Sequence, residues 1–290
     1  MSFCVKENEP LAPYCSMKVG GKAKHTVFPD GPDGLAEALR KYRFGGERCI
    51  VVGNCSNLVF PDEGFDGAVI ITSGINGVKA DGSVINAECG ATLTSLARNA
   101  AKYSLAGFEF CFGIPGTVGG GVYMNAGAYG GDISQRITGC TVLDRNLDRA
   151  ELPPEALELG YRTSSVEKNG YTVLSATFSG VPGDRDAIGA KMDELMAKRK
   201  SSQPLEYPSC GSAFKRPEGH YAGALIEQCG LKGVSVGGAQ VSEKHAGFII
   251  NKGGATANDV KDLVELIQKT VLENTGVKLE PEIRFIDTEI

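Results

Sequence analysis

No stretch of the chain approaches the roughly 18–20 continuous apolar residues that a membrane-spanning helix requires, so no span and no membrane partner are expected. The first fifteen residues lack an apolar core of signal-peptide length, because Glu7 and Glu9 interrupt them. The nine cysteines are scattered, odd in number and never spaced as CxxC, which speaks against a zinc site and against a disulfide framework. Reduced thiols in a cytoplasmic protein are the expectation. A basic surplus is also missing. The formal charge is -5, so a broad nucleic-acid footprint is not expected, while a local basic pocket for an anionic small molecule stays compatible. There is no fixed-period repeat, no low-complexity tract and no GK[ST] triplet, which removes repeat architectures and the P-loop.

What is present is ordinary globular composition, with 290 residues, 42% of them hydrophobic and 22% charged, enough for a sizeable core and two or three domains. Glycine is the exception. Its 39 residues are clustered, and clustered glycine points either to many tight turns or to backbone in close contact with a ligand. Residues 33–42 have helical spacing, and 49–53 and 68–72 are short apolar runs of buried-strand type. Strands are expected at 77–80, 84–88, 137–143 and 171–178, and helices at 92–103, capped by Thr92, and 184–200. Further on, a helix is expected near 221–229, a strand at 247–251 and a helix over 258–274, with Thr256 as its N-cap and Gly276 as its end. A final strand, 279–286, has a period of two that places Glu282 and Arg284 on one face. These elements divide the chain into 1–73, 74–201 and 202–290.

Two segments carry chemistry. In 51–67, an apolar strand runs into Gly53, Asn54, Cys55, Ser56 and Asn57. A polar turn after a strand aims several backbone N–H groups one way and suits phosphate oxygens, although a plain connecting turn fits the same letters. The second segment, GIPGTVGGGVYMNAGAYGGD at 113–132, is denser in glycine. Its apolar members Ile114, Val118, Val122, Tyr123 and Met124 would be wasted in a solvated linker. It has neither the spacing nor the strand–helix frame of a Rossmann fingerprint. It reads as backbone folded against a large ligand.

Both segments resemble the FAD-binding elements of the UDP-N-acetylenolpyruvoylglucosamine reductase family, which lies within the vanillyl-alcohol-oxidase-like flavoproteins. The likeness continues through GYRTS at 160–164, PSCGSAFKRP at 208–217, IEQCGLKGVSVGGAQVSEKHAGFIIN at 226–251 and LEPEIRFI at 279–286. With VGGKA near the start, these blocks occur in order and span nearly the whole chain, whose length resembles the shorter type of the family. The resemblance implies an α+β protein of three domains. A two-part FAD-binding module of the vanillyl-alcohol-oxidase-like type would occupy 1–73 and 74–201, and a C-terminal α+β domain for a UDP-sugar would occupy 202–290. It also implies NADPH as hydride donor and, for the oligomeric state, a monomer.

Residue by residue, the resemblance implies Ser212 as proton donor, with Ser209 as the competing neighbour, and Arg162 as the cation beside the substrate carboxylate. It implies Glu282 as the third catalytic group, with Glu280 of the same parity competing. Flavin contacts are expected from Gly53, Asn54, Cys55, Ser56 and Asn57, and from Gly113, Ile114, Pro115, Gly116, Thr117, Gly119, Gly120, Tyr123, Asn125, Ala126 and Gly127. Lys215, Gln228, Lys232, Gln240 and Asn251 suit a UDP-sugar, as cations for the diphosphate and amides for uracil and hydroxyls. Lys232 is the first choice among them, and His245 reads as structural. Two departures stand out: Cys55 replaces the usual glycine and Lys22 the usual proline. Covalent linkage of flavin to Cys55 is not expected. Two other readings compete, a flavin oxidoreductase of this fold with another substrate and a non-catalytic nucleotide-binding module.

Overall fold

Residues 32–43 begin with proline and place Leu35, Ala38, Leu39 and Tyr42 on one stripe, the recipe for a helix that buries one side. A computed structural model describes residues 2–286 of the chain and contains that helix, α1 (Pro32–Arg43), with all four side chains buried. Met1 and 287–290, the tips of the expected first and third domains, lie outside the described residues. The chain forms two compact units. One comprises Met1–Lys6, Thr26–Asn54 and Ala68–Arg199, and the other Glu7–His25, Cys55–Gly67 and Lys200–Ile290. No helix among the described residues is long and apolar enough to cross a membrane.

In the first unit the apolar runs at 49 and 68 become neighbouring parallel strands, with Cys49 opposite Ala68 and Val52 opposite Ile71. They belong to a four-stranded sheet of order Phe3–Pro10, Lys22–Pro29, Phe65–Ile71, Cys49–Val52. The first two of these strands alternate polar and apolar letters too weakly to be legible beforehand. A five-stranded antiparallel sheet follows, in the order Arg149–Leu152, Ile137–Leu143, Thr172–Ser179, Val84–Glu88, Val78–Asp81. Helix α2 (Leu93–Lys102) starts where expected, because Thr92 accepts the Ser95 N–H at 3.0 Å. Phe108 and Phe178 meet edge to face in the core, their ring centres 6.1 Å apart.

The glycine-rich stretch contains a helix that its composition argues against, α3 (Val118–Tyr123). Thr117 caps it, and Val118 and Val122 are fully buried, so local capping and burial outweigh the glycine penalty here. Two further helices complete this part of the chain, α4 (Ser165–Asn169) and α5 (Arg185–Ser202).

The second unit has a four-stranded antiparallel sheet, ordered Ser209–Ser212, Phe248–Asn251, Ala239–Val241, Ser235–Val236, and the helices α6 (Ala222–Gln228) and α7 (Ala257–Thr275). Helix α7 buries Val260, Leu263, Val264, Ile267 and Val271, each contributing roughly 1.5–3 kcal/mol on burial. Its N-terminus carries a capping box between Thr256 and Asp259. Asp62 adds a second anion there, accepting from the N–H groups of Ala257 (2.8 Å) and Asn258 (3.0 Å). The N–H groups of Thr256 and Gly238 hold the Asp259 carboxyl below its ordinary range, so this tie persists above that range and weakens as acid protonates it. Gly276 ends the helix with a left-handed φ of 73°.

One expectation fails in form. The strand foreseen over 279–286 shrinks to Arg284–Phe285, which pairs in parallel with Leu58–Val59, plus a single bridge between Pro281 and Phe214. Around Pro281 the chain bonds instead to residues 213–215, with Lys215 N–H donating to Glu280 O at 2.9 Å and Glu282 N–H to Ala213 O at 2.8 Å.

Candidate active site

In the first unit the two glycine segments come together. Gly53 lies so close to Thr117 that a Cβ there would sit 2.2 Å from its Oγ1 and 2.9 Å from its Cγ2. Next to it, Asn54 Nδ2 donates to the Pro115 carbonyl at 3.0 Å, across 61 residues of sequence. The loop is laid along the start of α2: Leu93 N–H donates to Gly116 O, Val118 N–H to Ala91 O, Gly119 N–H to Cys89 O and Gly113 N–H to Thr94 Oγ1. Gly120 N–H reaches the Thr117 hydroxyl. Ile114 is half-buried and Pro115 exposed. Among the described residues the N–H groups of Gly116 and Thr117 donate to no protein acceptor, which suits an anionic ligand oxygen.

The far end of the loop is bolted to residues 160–164. Asn125, buried and left-handed (φ 46°), donates to Gly160 O at 3.0 Å and accepts from Ser134 N–H at 3.0 Å. Ser164 Oγ donates to Tyr123 O at 2.6 Å. Ala126 is buried and Gly127 half-buried. Arg162, also left-handed (φ 57°), donates from Nη2 to Gly127 O at 3.3 Å and lies over its neighbour Tyr161. Gly53, Asn54, the loop from Gly113 to Gly127 and Arg162 are thus one connected surface.

In the second unit, Cys55 has φ 44°, the conformation glycine adopts without cost, and its side chain is buried. Its thiol donates to Cys15, which raises Cys55 well above the ordinary thiol range and lowers Cys15. Burial pushes nearby Cys210 to about 12. A protonated thiol sealed against other thiols is not a nucleophile for a flavin. The N–H groups of Ser56 and Asn57 donate to no protein acceptor among the described residues, a second pair suited to anionic oxygens.

Ser212 owes its position to a bulge. Ser209 pairs with Ile250 and Ser212 with Phe248, so this edge strand carries one residue more than its partner. Gly211 absorbs the extra residue at φ 74°, with no atom within 4 Å of where a Cβ would sit. Ser212 is thereby exposed, and its hydroxyl bonds no protein group among the described residues. Ala213 follows directly. Its N–H donates to Gly247 O at 2.8 Å and its carbonyl accepts the Glu282 N–H at 2.8 Å. The Glu282 carbonyl in turn accepts from Asn57 Nδ2 at 2.8 Å. Four segments far apart in sequence are joined through Ala213 and Glu282.

The remaining candidates differ in how far the protein already occupies them. Glu280, exposed, pairs with Lys215, and Glu227 pairs with Lys232 at 2.7 Å. Gln228 is exposed at the end of α6. Gln240 donates to Gly233 O (3.1 Å) and Ser235 Oγ (3.0 Å). Asn251 is buried, donates to Met17 O at 3.1 Å and accepts from the N–H groups of Gly253 and Ala255. His245 accepts the Gly247 N–H on Nδ1 at 3.1 Å, and burial lowers its pKa, so it stays neutral and holds a turn. Sequence reasoning missed the Gly211 bulge and the Asn57–Glu282 bond. A glycine inside a four-residue strand was a usable signal for the first, and no local pattern announces the second.

The geometry agrees with what the chain is similar to. Residues 23–146 match the family model described as FAD binding domain, and 203–286 match UDP-N-acetylenolpyruvoylglucosamine reductase, C-terminal domain. A protein named UDP-N-acetylenolpyruvoylglucosamine reductase from Caldicellulosiruptor bescii is 48% identical over 282 residues, covering 97% of this chain and 90% of the relative. One of the same name from Clostridium novyi is 47% identical over 285 residues, covering 98% and 93%. The crystal structure of the Thermus caldophilus reductase of this name superposes with a TM-score of 0.85 at 32% identity, over 98% of this chain and 100% of that one. Identity at this level over nearly the full length of both chains goes beyond a shared fold, and the chain belongs to the UDP-N-acetylenolpyruvoylglucosamine reductase family.

Proposed function

We propose that this chain reduces UDP-N-acetylglucosamine enolpyruvate to UDP-N-acetylmuramate with NADPH and a bound FAD, a cytoplasmic step of peptidoglycan precursor synthesis carried out by a monomer. The observation that carries the reading is the bulge at Gly211, which presents Ser212 to solvent beside the backbone that holds Glu282. Bound FAD supplies the hydride, taken from NADPH and delivered to the methylene carbon of the enolpyruvyl group.

The protein's own residues divide the rest of the work. The N–H pair of Gly116 and Thr117 suits phosphate oxygens, and so does that of Ser56 and Asn57. Gly53 and Gly119 keep their loops close-packed, since a Cβ on Gly119 would meet Cys89 at 3.1 Å. As hydride arrives, charge accumulates on the substrate carboxylate, and the Arg162 guanidinium stabilises it through paired N–H donors. Ser212 Oγ–H gives its proton to the carbon beside the carboxylate, and Glu282 orients that transfer. Lys215 and Lys232 bind the diphosphate. Each now leans on an exposed glutamate, and such surface pairs contribute only about 0–1 kcal/mol, so exchanging them for phosphate costs little. Gln228 reaches the uracil or sugar, while Gln240 and Asn251 shape the loops that line the site. We assign 1–73 and 74–201 to the flavin module and 202–290 to the UDP-sugar.

An anaerobic visible spectrum tests this directly. The flavin band is expected to bleach on adding NADPH and to return on adding UDP-N-acetylglucosamine enolpyruvate. Bleaching without return would keep the flavoprotein and remove the substrate, and no band after reconstitution with FAD would remove both. The cradle has its own test. Gly53→Ala drives a methyl into Thr117, the cap of α3, and is expected to weaken FAD binding at least tenfold, read by fluorescence titration, while the far-ultraviolet circular dichroism stays unchanged.

A further inference from the structure

Asn57 sits in a turn that the sequence assigns wholly to cofactor contact, yet its side chain faces elsewhere. Nδ2 donates to the carbonyl of Glu282 at 2.8 Å, across 225 residues of sequence. Its own carbonyl accepts the Arg284 N–H at 3.0 Å, and the strands continue in register from there, Leu58 opposite Arg284 and Val59 opposite Phe285. On its other side Glu282 donates its N–H to Ala213 O at 2.8 Å, and Ala213 follows Ser212. Both peptide planes flanking the Glu282 Cα are therefore tied, one to the strand that bears Ser212 and one to the side chain of Asn57. Two fixed peptide planes set the direction of the Cα–Cβ bond. The pairing with Leu58–Val59 stops at Arg284, and two residues before it a side chain supplies the bond that backbone would supply in a longer strand.

We infer that Asn57 is a positioning residue for the reductive step, which orients Glu282 toward the proton-transfer site and links that orientation to the turn 53–57. The inference rests on the proposed function and deepens it. The bond needs a donor at position 57, because its partner is a carbonyl oxygen. Aspartate, of the same size, presents acceptor to acceptor and pushes the Glu282 peptide away. A displacement of this kind near a reacting group lowers a rate by up to about 10²-fold.

The experiment follows reoxidation of the NADPH-reduced, FAD-saturated enzyme by UDP-N-acetylglucosamine enolpyruvate in wild type, Asn57→Ala, Asn57→Asp, Glu282→Gln and the two double variants. Asn57→Ala and Asn57→Asp are expected to slow reoxidation of the FAD-saturated enzyme by about 10- to 100-fold, aspartate the more, with the FAD dissociation constant of the alanine variant moving less than threefold. In the Glu282→Gln background, adding either change is expected to cost less than twofold, because the residue it orients is already lost. Slowing that multiplies with Glu282→Gln, or weakened FAD binding with an unchanged rate per bound flavin, would overturn the inference and return Asn57 to the cofactor. Asn57→Asp preserves the volume of the side chain, so a variant that folds is available even if alanine loosens the turn. Wild-type enzyme that is not reoxidised by this substrate would overturn the proposed function instead, an outcome visible before any variant is made.

Discussion

Ser212→Ala is expected to leave reduction of bound flavin by NADPH at the wild-type rate and to slow reoxidation by the enol ether by about 10³-fold, within the range for a removed general acid. The physical reason for so large an effect is that its neighbour Ser209 is not placed to do the same task. Ser209 lies in the regular part of the strand opposite Ile250, whereas the bulge turns Ser212 outward with its hydroxyl unspent on the protein. A serine hydroxyl is a weak acid, so it serves only where the alkoxide it leaves is stabilised, which is the task assigned to the groups around it. Stopped-flow absorbance of the two half-reactions separates the steps. Ser209→Ala is the control and should change neither. Because Ser212 is exposed, its alanine variant should unfold within about 0.5 kcal/mol of wild type, so a slow reoxidation cannot be blamed on instability. Equal loss in both half-reactions would remove Ser212 from the proton transfer, and wild-type rates in both would remove it from the site.

Most helices were legible because burial and capping spoke the same language. Thr92, Thr256 and Gly276 end their helices as their letters predict, and the stripe of α7 is a plain 3.6-residue period. What was not legible came from partners remote in sequence. The helix α3 is written in glycines that oppose it, and forms because Val118 and Val122 are buried and Thr117 caps it. The last strand read as eight residues and pairs over two, because the residues before it bond to 213–215 instead. The site followed the same rule. Motif letters nominated Ser212, Arg162 and Glu282 as candidates, but only the fold reveals the bulge that exposes one and the side chain that ties the backbone of another. Cys55 shows how a departure is accommodated. The turn keeps the left-handed backbone of a glycine, and the thiol that replaces a hydrogen is absorbed into a buried contact with Cys15.

The second large effect is expected at Arg162, where stability and activity should part company. The residue has φ 57°, a region that costs a non-glycine residue roughly 1–2 kcal/mol, in a turn closed by hydrogen bonds between Gly160 and Thr163. Glycine at 162 would relieve that strain. Against this stand the lost bond to Gly127 O, the lost contact with Tyr161 and the greater freedom of glycine in the unfolded chain, each on the order of 0.5–1 kcal/mol. The opposing contributions nearly cancel, so Arg162→Gly is expected to unfold within about 1 kcal/mol of wild type. Its reoxidation rate should nevertheless fall by about 10²- to 10³-fold, because the guanidinium fork that meets the growing carboxylate charge is gone. Arg162→Lys keeps the charge but not the fork, and should fall between glycine and wild type. Chemical denaturation and single-turnover reoxidation, measured on the same preparations, decide the matter. A variant that loses stability in proportion to rate would make Arg162 a brace for the glycine loop. One that keeps its fold and loses its rate places the strain where a catalytic role requires it.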